Sequence, residues 1–197
     1  MLPEGAQAAQ PSPMPANATI YLIRHAEKPD TGPGLSPAGQ ARAQAYVHYL
    51  QNQTDPQGKP IQWDYLFAST DSENSDRPLL TITPLATAIK KPIDSNCADK
   101  HYLKLEQHIR ENAKDYANKN ILICWHHGEI LDLAGALGAS PESLPSSSNW
   151  PNKWPGEVFG WLLKVYYEGD GTLENQQSQA INEHLMPDDT IDPVYNG

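Results

Sequence analysis

A chain of 197 residues, 39% apolar and 19% charged, has the length and composition of one well-cored globular domain. Its formal net charge of -10 and the absence of any Lys/Arg cluster exclude a nucleic-acid binder that relies on a basic face. An acidic chain that binds an anion must instead gather its few arginines at one place.

Residues 1–17 hold four prolines, several Ala and Gln, and one charge, and read as a disordered arm. No apolar run approaches the length of a membrane span, so no membrane partner is expected. The N-terminus has neither a basic n-region nor an apolar h-region, which points to a cytoplasmic location.

The domain is expected over residues 18–175. Thr19 to Ile23 is a β-branched, aromatic and apolar run and predicts a buried strand, which stops at Arg24-His25, with Glu27, Lys28 and Pro29 after it. A Gly/Pro loop comes next. Ser36 then caps a helix with Pro37 at its first position, running to about Gln53. A second strand lies within Ile61 to Ala68, best placed at Tyr65 to Ala68, and ends in the polar loop 69–76. Arg77-Pro78 opens a second helix to Ile89, in which Pro84 predicts a kink. Lys91 to Asp94 suggests a short strand, and Tyr102 to Asn118 one amphipathic helix.

Ile121 to Trp125 is another buried-strand run, delivering His126-His127-Gly128, and a helix then extends to Gly138. Residues 139–156 read as a loop, in which Trp150 and Trp154 are candidates to lie over a pocket. Val158 to Tyr167 reads as a final strand, and residues 176–197 as a polar tail. Strand-helix alternation of this kind predicts an α/β fold, a three-layer α/β/α sandwich around a largely parallel sheet.

If the first and third apolar strands run parallel, Arg24, His25 and the histidine pair emerge at one edge, where open α/β sheets bind ligands. Arginines at strand ends with a histidine suit phosphoryl transfer. The transferring group spreads negative charge over three oxygens, and the planar guanidinium meets such oxygens in pairs. A neutral imidazole aligned with phosphorus is the nucleophile, and a carboxylic acid must protonate the leaving oxygen.

Metal catalysis is not favoured: His126, His127, Glu129 and Asp132 lack the spacing of one ligating face. No P-loop and no Gly-rich dinucleotide fingerprint is present, so no cofactor is expected. Cys124 reads as a small core side chain and Cys97 as a loop residue, with no spacing argument for a disulfide. Arg42 reads as a solvated or helix-pinning cation, and His126 as pocket wall.

In order along the chain stand Arg24-His25-Ala26-Glu27, then Leu35-Ser36-Pro37-Ala38-Gly39, Ala68-Ser69, Arg77-x-x-x-Thr81-x-x-Pro84-Leu85-Ala86, and His127-Gly128. This ordered set, over about residues 18 to 138, resembles the histidine phosphatase superfamily, the phosphoglycerate-mutase-like proteins. The resemblance implies a phosphoglycerate-mutase-like fold. It also implies His25 as the nucleophile that becomes phosphohistidine, with Arg24, Arg77 and His127 binding phosphate.

It further implies a phosphoric monoester hydrolase of the histidine acid phosphatase type, independent of metal and acting on a small-molecule or peptide phosphomonoester. A non-catalytic phospho-ligand binding domain is the alternative, and a phosphomutase a weaker one. Two departures stand out. The stretch from Ser69 to Arg77 is about four residues longer than the family pattern. No family motif fixes the proton donor either, and Asp99, Glu129 and Glu27 are the candidates, Asp99 first, from its place between two helices.

Overall fold

Strict alternation along two strands decides the layering. In β1 (Thr19–Arg24), Ile20 and Leu22 point to one face of the sheet and Tyr21 and Ile23 to the other. In β4 (Asn120–Trp125), Ile121, Ile123 and Trp125 share the first face, and Leu122 and Cys124 the second. Both strands are apolar on both sides, so the sheet requires cover on both faces.

The computed structural model describes residues 12–194 apart from residue 56 and shows that cover. Helices α1 (Pro37–Gln51) and α2 (Arg77–Ile89) pack together over the face of Tyr21 and Leu122. Helices α3 (Tyr102–Glu111), α4 (Ala113–Tyr116) and α5 (Ile130–Ala136) bury their apolar sides on the opposite face. The remaining strands are β2 (Trp63–Ser69), β3 (Ile93–Cys97), β5 (Trp161–Tyr166) and β6 (Gln179–Asn182).

The sheet order is β3-β2-β4-β1-β5-β6. The first four strands are mutually parallel, β5 runs antiparallel to β1, and β6 runs antiparallel to β5. The architecture is therefore the expected α/β sandwich with a largely parallel sheet. The carboxyl ends of β1, β2 and β4 share one edge, and they deliver Arg24-His25, Ser69 and His126-His127 there.

The helix expected over Tyr102 to Asn118 is broken at Asn112, whose amide side chain donates to the His108 carbonyl and competes with the helical ladder. Helix α2 runs through Pro84 to Ile89. Residues 1–11 of the expected arm lie outside the described residues. From Ser12 the arm is fastened: Arg110 donates to the Ser12 carbonyl at 2.6 Å, Asn118 N–H to the Ala16 carbonyl at 2.8 Å, and Met14 is buried.

The stretch expected as a polar tail carries β6 and the buried residues Glu183 and Asp189. Tyr46 donates to Glu183 at 2.8 Å, and Asp189 forms a bidentate pair with Arg42 at 2.9 and 2.8 Å. Arg42 is thus a buried anchor on α1, not a solvated cation, because two carboxylates converge on it.

Candidate functional site

The chain turns off β1 at Arg24 and fixes His25 by its backbone. His25 N–H donates to the Trp125 carbonyl at 3.0 Å, and Ala26 N–H donates to the buried Thr81 hydroxyl on α2 at 2.8 Å. Thr81 in turn donates to the Arg77 carbonyl, tying the two arginine-bearing segments together. Gly39 at the start of α1 sits against the Glu27 backbone, where any side chain would collide. That contact holds the 25–28 turn against α1.

The His25 ring is almost fully buried, and its Nδ1 lies 2.7 Å from the Ala26 carbonyl oxygen. A carbonyl only accepts, so Nδ1 carries the proton and the Nε2 lone pair is free. Burial holds the imidazole pKa down to about 3, helped by the nearby His126, Arg24 and Arg77 and opposed by the Ala26 carbonyl. His25 is therefore neutral across the physiological range.

Arg24 is buried beside it. Its Nη1 donates to the carbonyls of Val158 at 2.6 Å and Pro155 at 3.3 Å, and the Phe159 ring centroid lies 3.8 Å from its guanidinium carbon. Its Nε is buried without a partner. Desolvation lowers the Arg24 pKa to about 10, against the pull of Glu27 and Glu157.

Arg77, at the start of α2, donates through Nη1 to the carbonyls of Gly32 and Pro33 and through Nη2 to that of Asn74. Its Nε is also buried and unpartnered. The long 70–76 loop is closed by a Ser72–Ser75 bridge and docks on the 30–34 loop through Asp76 N–H to the Pro33 carbonyl. Ser69 lies fully buried before it, with an unpartnered hydroxyl.

Of the two adjacent histidines, His126 has its ring beside that of His25. In the parallel β1–β4 register Arg24 faces Trp125, so the next residues, His25 and His126, lie side by side, with ring centroids 4.9 Å apart. His127 is exposed, with its Nε2 toward Gly156. Burial lowers the His126 pKa to about 4, with Arg77 adding to it and Glu129 opposing.

Asp99 and Glu129 come together behind this pair. Asp99 sits in the helical turn after β3, where its carbonyl accepts from Trp125 Nε1 at 3.2 Å, and Glu129 immediately precedes α5. Burial, reinforced by a hydrogen bond and the charge of Glu129, raises the Asp99 pKa to about 7. Glu129 is paired with the exposed Lys100 and lies below the usual carboxylate range, burial notwithstanding. The two carboxyls are thus shifted in opposite directions, Asp99 up and Glu129 down. Glu27 is committed to Arg42, from which it accepts at 2.9 and 2.7 Å.

Sequence reasoning missed the cover. Phe159, read as part of a strand, lies on the rim over Arg24, with its ring 6.2 Å from that of His25. Trp150 and Trp154 are buried core residues. Among the described residues no group of three or more His, Cys, Asp or Glu side chains is arranged to hold a metal ion. Cys97 and Cys124 are both free, and no helix among the described residues is long and apolar enough to cross a membrane. A cleft of about 490 Å³ opens at the other ends of the strands, near Tyr21, Asp64, Lys119 and Lys164, and includes none of the His, Arg and acid set.

No family model and no curated protein matches the sequence. Solved structures do match the fold. A phosphoglycerate mutase from Bacillus anthracis superposes with a TM-score of 0.53 at 16% identity, over 82% of this chain and 93% of that one. The fold is phosphoglycerate-mutase-like. A putative phosphohistidine phosphatase SixA from Agrobacterium tumefaciens gives 0.51 at 17% identity, over 84% of this chain and 96% of its own. A phosphoglycerate mutase from Plasmodium falciparum gives 0.50 at 12%, over 81% and 88%. The similarity in fold extends along nearly the whole length of each of these structures.

Proposed function

We propose that this protein is a phosphomonoester hydrolase acting through a phosphohistidine on His25. The observation that carries the reading is the His25 imidazole itself: buried, neutral, and oriented by the Ala26 carbonyl so that Nε2 is the free nucleophile, between two arginines with unpartnered Nε groups. The phosphoryl oxygens would be met by Arg24, Arg77 and His126, charge-assisted donors placed before the charge develops.

In the first step Nε2 attacks phosphorus, the P–N bond forms and the P–O bond to the alcohol breaks. Asp99, protonated up to about pH 7, gives its proton to the departing oxygen. In the second step water attacks phosphorus, the P–N bond breaks, phosphate leaves, and the Asp99 carboxylate takes the water proton. The chemistry is assigned to side chains alone and needs no metal. The similarity to mutases and to a phosphohistidine phosphatase supports a small-molecule or peptide phosphomonoester as substrate, and leaves its identity to be measured.

The test is hydrolysis of an aryl phosphate in EDTA by wild type and His25→Ala. Turnover that survives the chelator and disappears in the variant, with an acid-labile phosphoryl label on the wild type, supports the mechanism. Activity lost in EDTA and restored by a metal would sink it. Phosphate binding without turnover over a broad pH and substrate range would favour a binding domain.

A further inference from the structure

Arg24 is held from one side only. Its Nη1 is tethered by the carbonyls of Val158 and Pro155, at 2.6 and 3.3 Å, and its guanidinium carbon lies 3.8 Å from the centre of the Phe159 ring. The tether is itself anchored, because the Val158 carbonyl also accepts from the buried Trp154 Nε1 at 2.8 Å, and Trp154 packs on Trp161. The Nε–H is left buried and without a partner, and Nη2 makes no hydrogen bond among the described residues. These two donors form one edge of the guanidinium, and their spacing matches two oxygens of a phosphate.

Phe159 is only half-buried, so a purely packing role leaves much of its ring unused. Its place above Arg24 and beside the His25 ring is that of a clamp on both residues.

We propose that Phe159, presented by residues 155–159, is a positioning residue that fixes Arg24 with its Nε–Nη2 edge toward the phosphate bound at His25. The inference rests on the phosphatase reading of that site. An arginine stacked on an aromatic face gains attraction to the ring and loses rotational freedom, so less ordering remains to be done when the anion arrives.

The test is inorganic phosphate binding, measured by calorimetry on wild type, Phe159→Ala, Phe159→Leu, Phe159→Tyr, Arg24→Ala and the Phe159→Ala/Arg24→Ala double variant. Phe159→Ala and Phe159→Leu are expected to weaken the phosphate Kd roughly 3- to 20-fold, and Phe159→Tyr to stay within about twofold. In the Arg24→Ala background Phe159→Ala is expected to change nothing, because the residue acts only through Arg24. Leucine preserves the apolar contact, so its loss separates the ring from simple packing. An unchanged Kd in Phe159→Ala, or an equal loss in both backgrounds, overturns this inference alone. A wild type that binds no phosphate overturns the phosphatase reading and this inference with it.

Discussion

Replacing Asp99 by Asn separates two effects of one raised pKa. In the folded protein the Asp99 carboxyl titrates near 7, against an ordinary value of 3.8. A carboxyl with a raised folded-state pKa contributes stability that is fully present below about pH 3.8 and lost as the pH rises through 7. At pH 8 the ionised group is therefore a burden on the fold. Three pKa units correspond to about 4 kcal/mol, but the group is half in solvent, so screening leaves about 1 kcal/mol. Asparagine removes the charge, and Asp99→Asn is expected to raise the melting temperature at pH 8 by about 2–4 °C, with little change at pH 4.

The same variant loses the proton donor. Turnover of alkyl phosphates, whose leaving oxygen needs a proton, should fall about 10²- to 10⁴-fold. Nitrophenyl phosphate, whose leaving group departs unprotonated, should fall less than about fivefold. Wild-type turnover of the alkyl substrate should decline above pH 7, and that limb should vanish in the variant. Differential scanning calorimetry and steady-state assays at both pH values check these outcomes. Destabilisation at pH 8, or equal losses with both leaving groups, would refute the assignment.

Three further perturbations probe the same geometry. His126→Ala is expected to lower kcat at least tenfold, and exposed His127→Ala less than about threefold, in the aryl phosphate assay; the reverse order would restore the motif-based assignment. Arg42→Met leaves Glu27 and Asp189 facing each other without their cation, and urea unfolding should show a loss of about 3–5 kcal/mol. Thr81→Val deprives the buried Ala26 N–H of its acceptor, with an expected cost of about 1–3 kcal/mol in the same experiment and a lower kcat as the His25 turn shifts.

Local sequence pattern was enough to read the class of fold and the residues gathered at one edge of the sheet. Apolar runs that end abruptly in Arg24-His25 and His126-His127 mark buried parallel strands, and such strands carry the residues at their carboxyl ends to a common edge. Ser36 and Pro37 mark a helix start by local chemistry alone, and the Ser36 hydroxyl accepts from Gly39 N–H as expected.

Which histidine ring lies beside that of His25 follows from strand pairing, not from local sequence. Two adjacent residues differ by one step of strand register, and no local signal sets the pairing of strands a hundred residues apart. The same holds for Phe159 over Arg24, Asp189 on Arg42, and the raised pKa of Asp99 beside Glu129. Each joins segments remote in the chain, and each depends on burial, which raises the energy of an unpaired charge by an amount that sequence spacing does not encode. Strand β6 escaped for a related reason: a four-residue edge strand has too few alternating positions to show a period, and only its pairing with β5 makes it a strand.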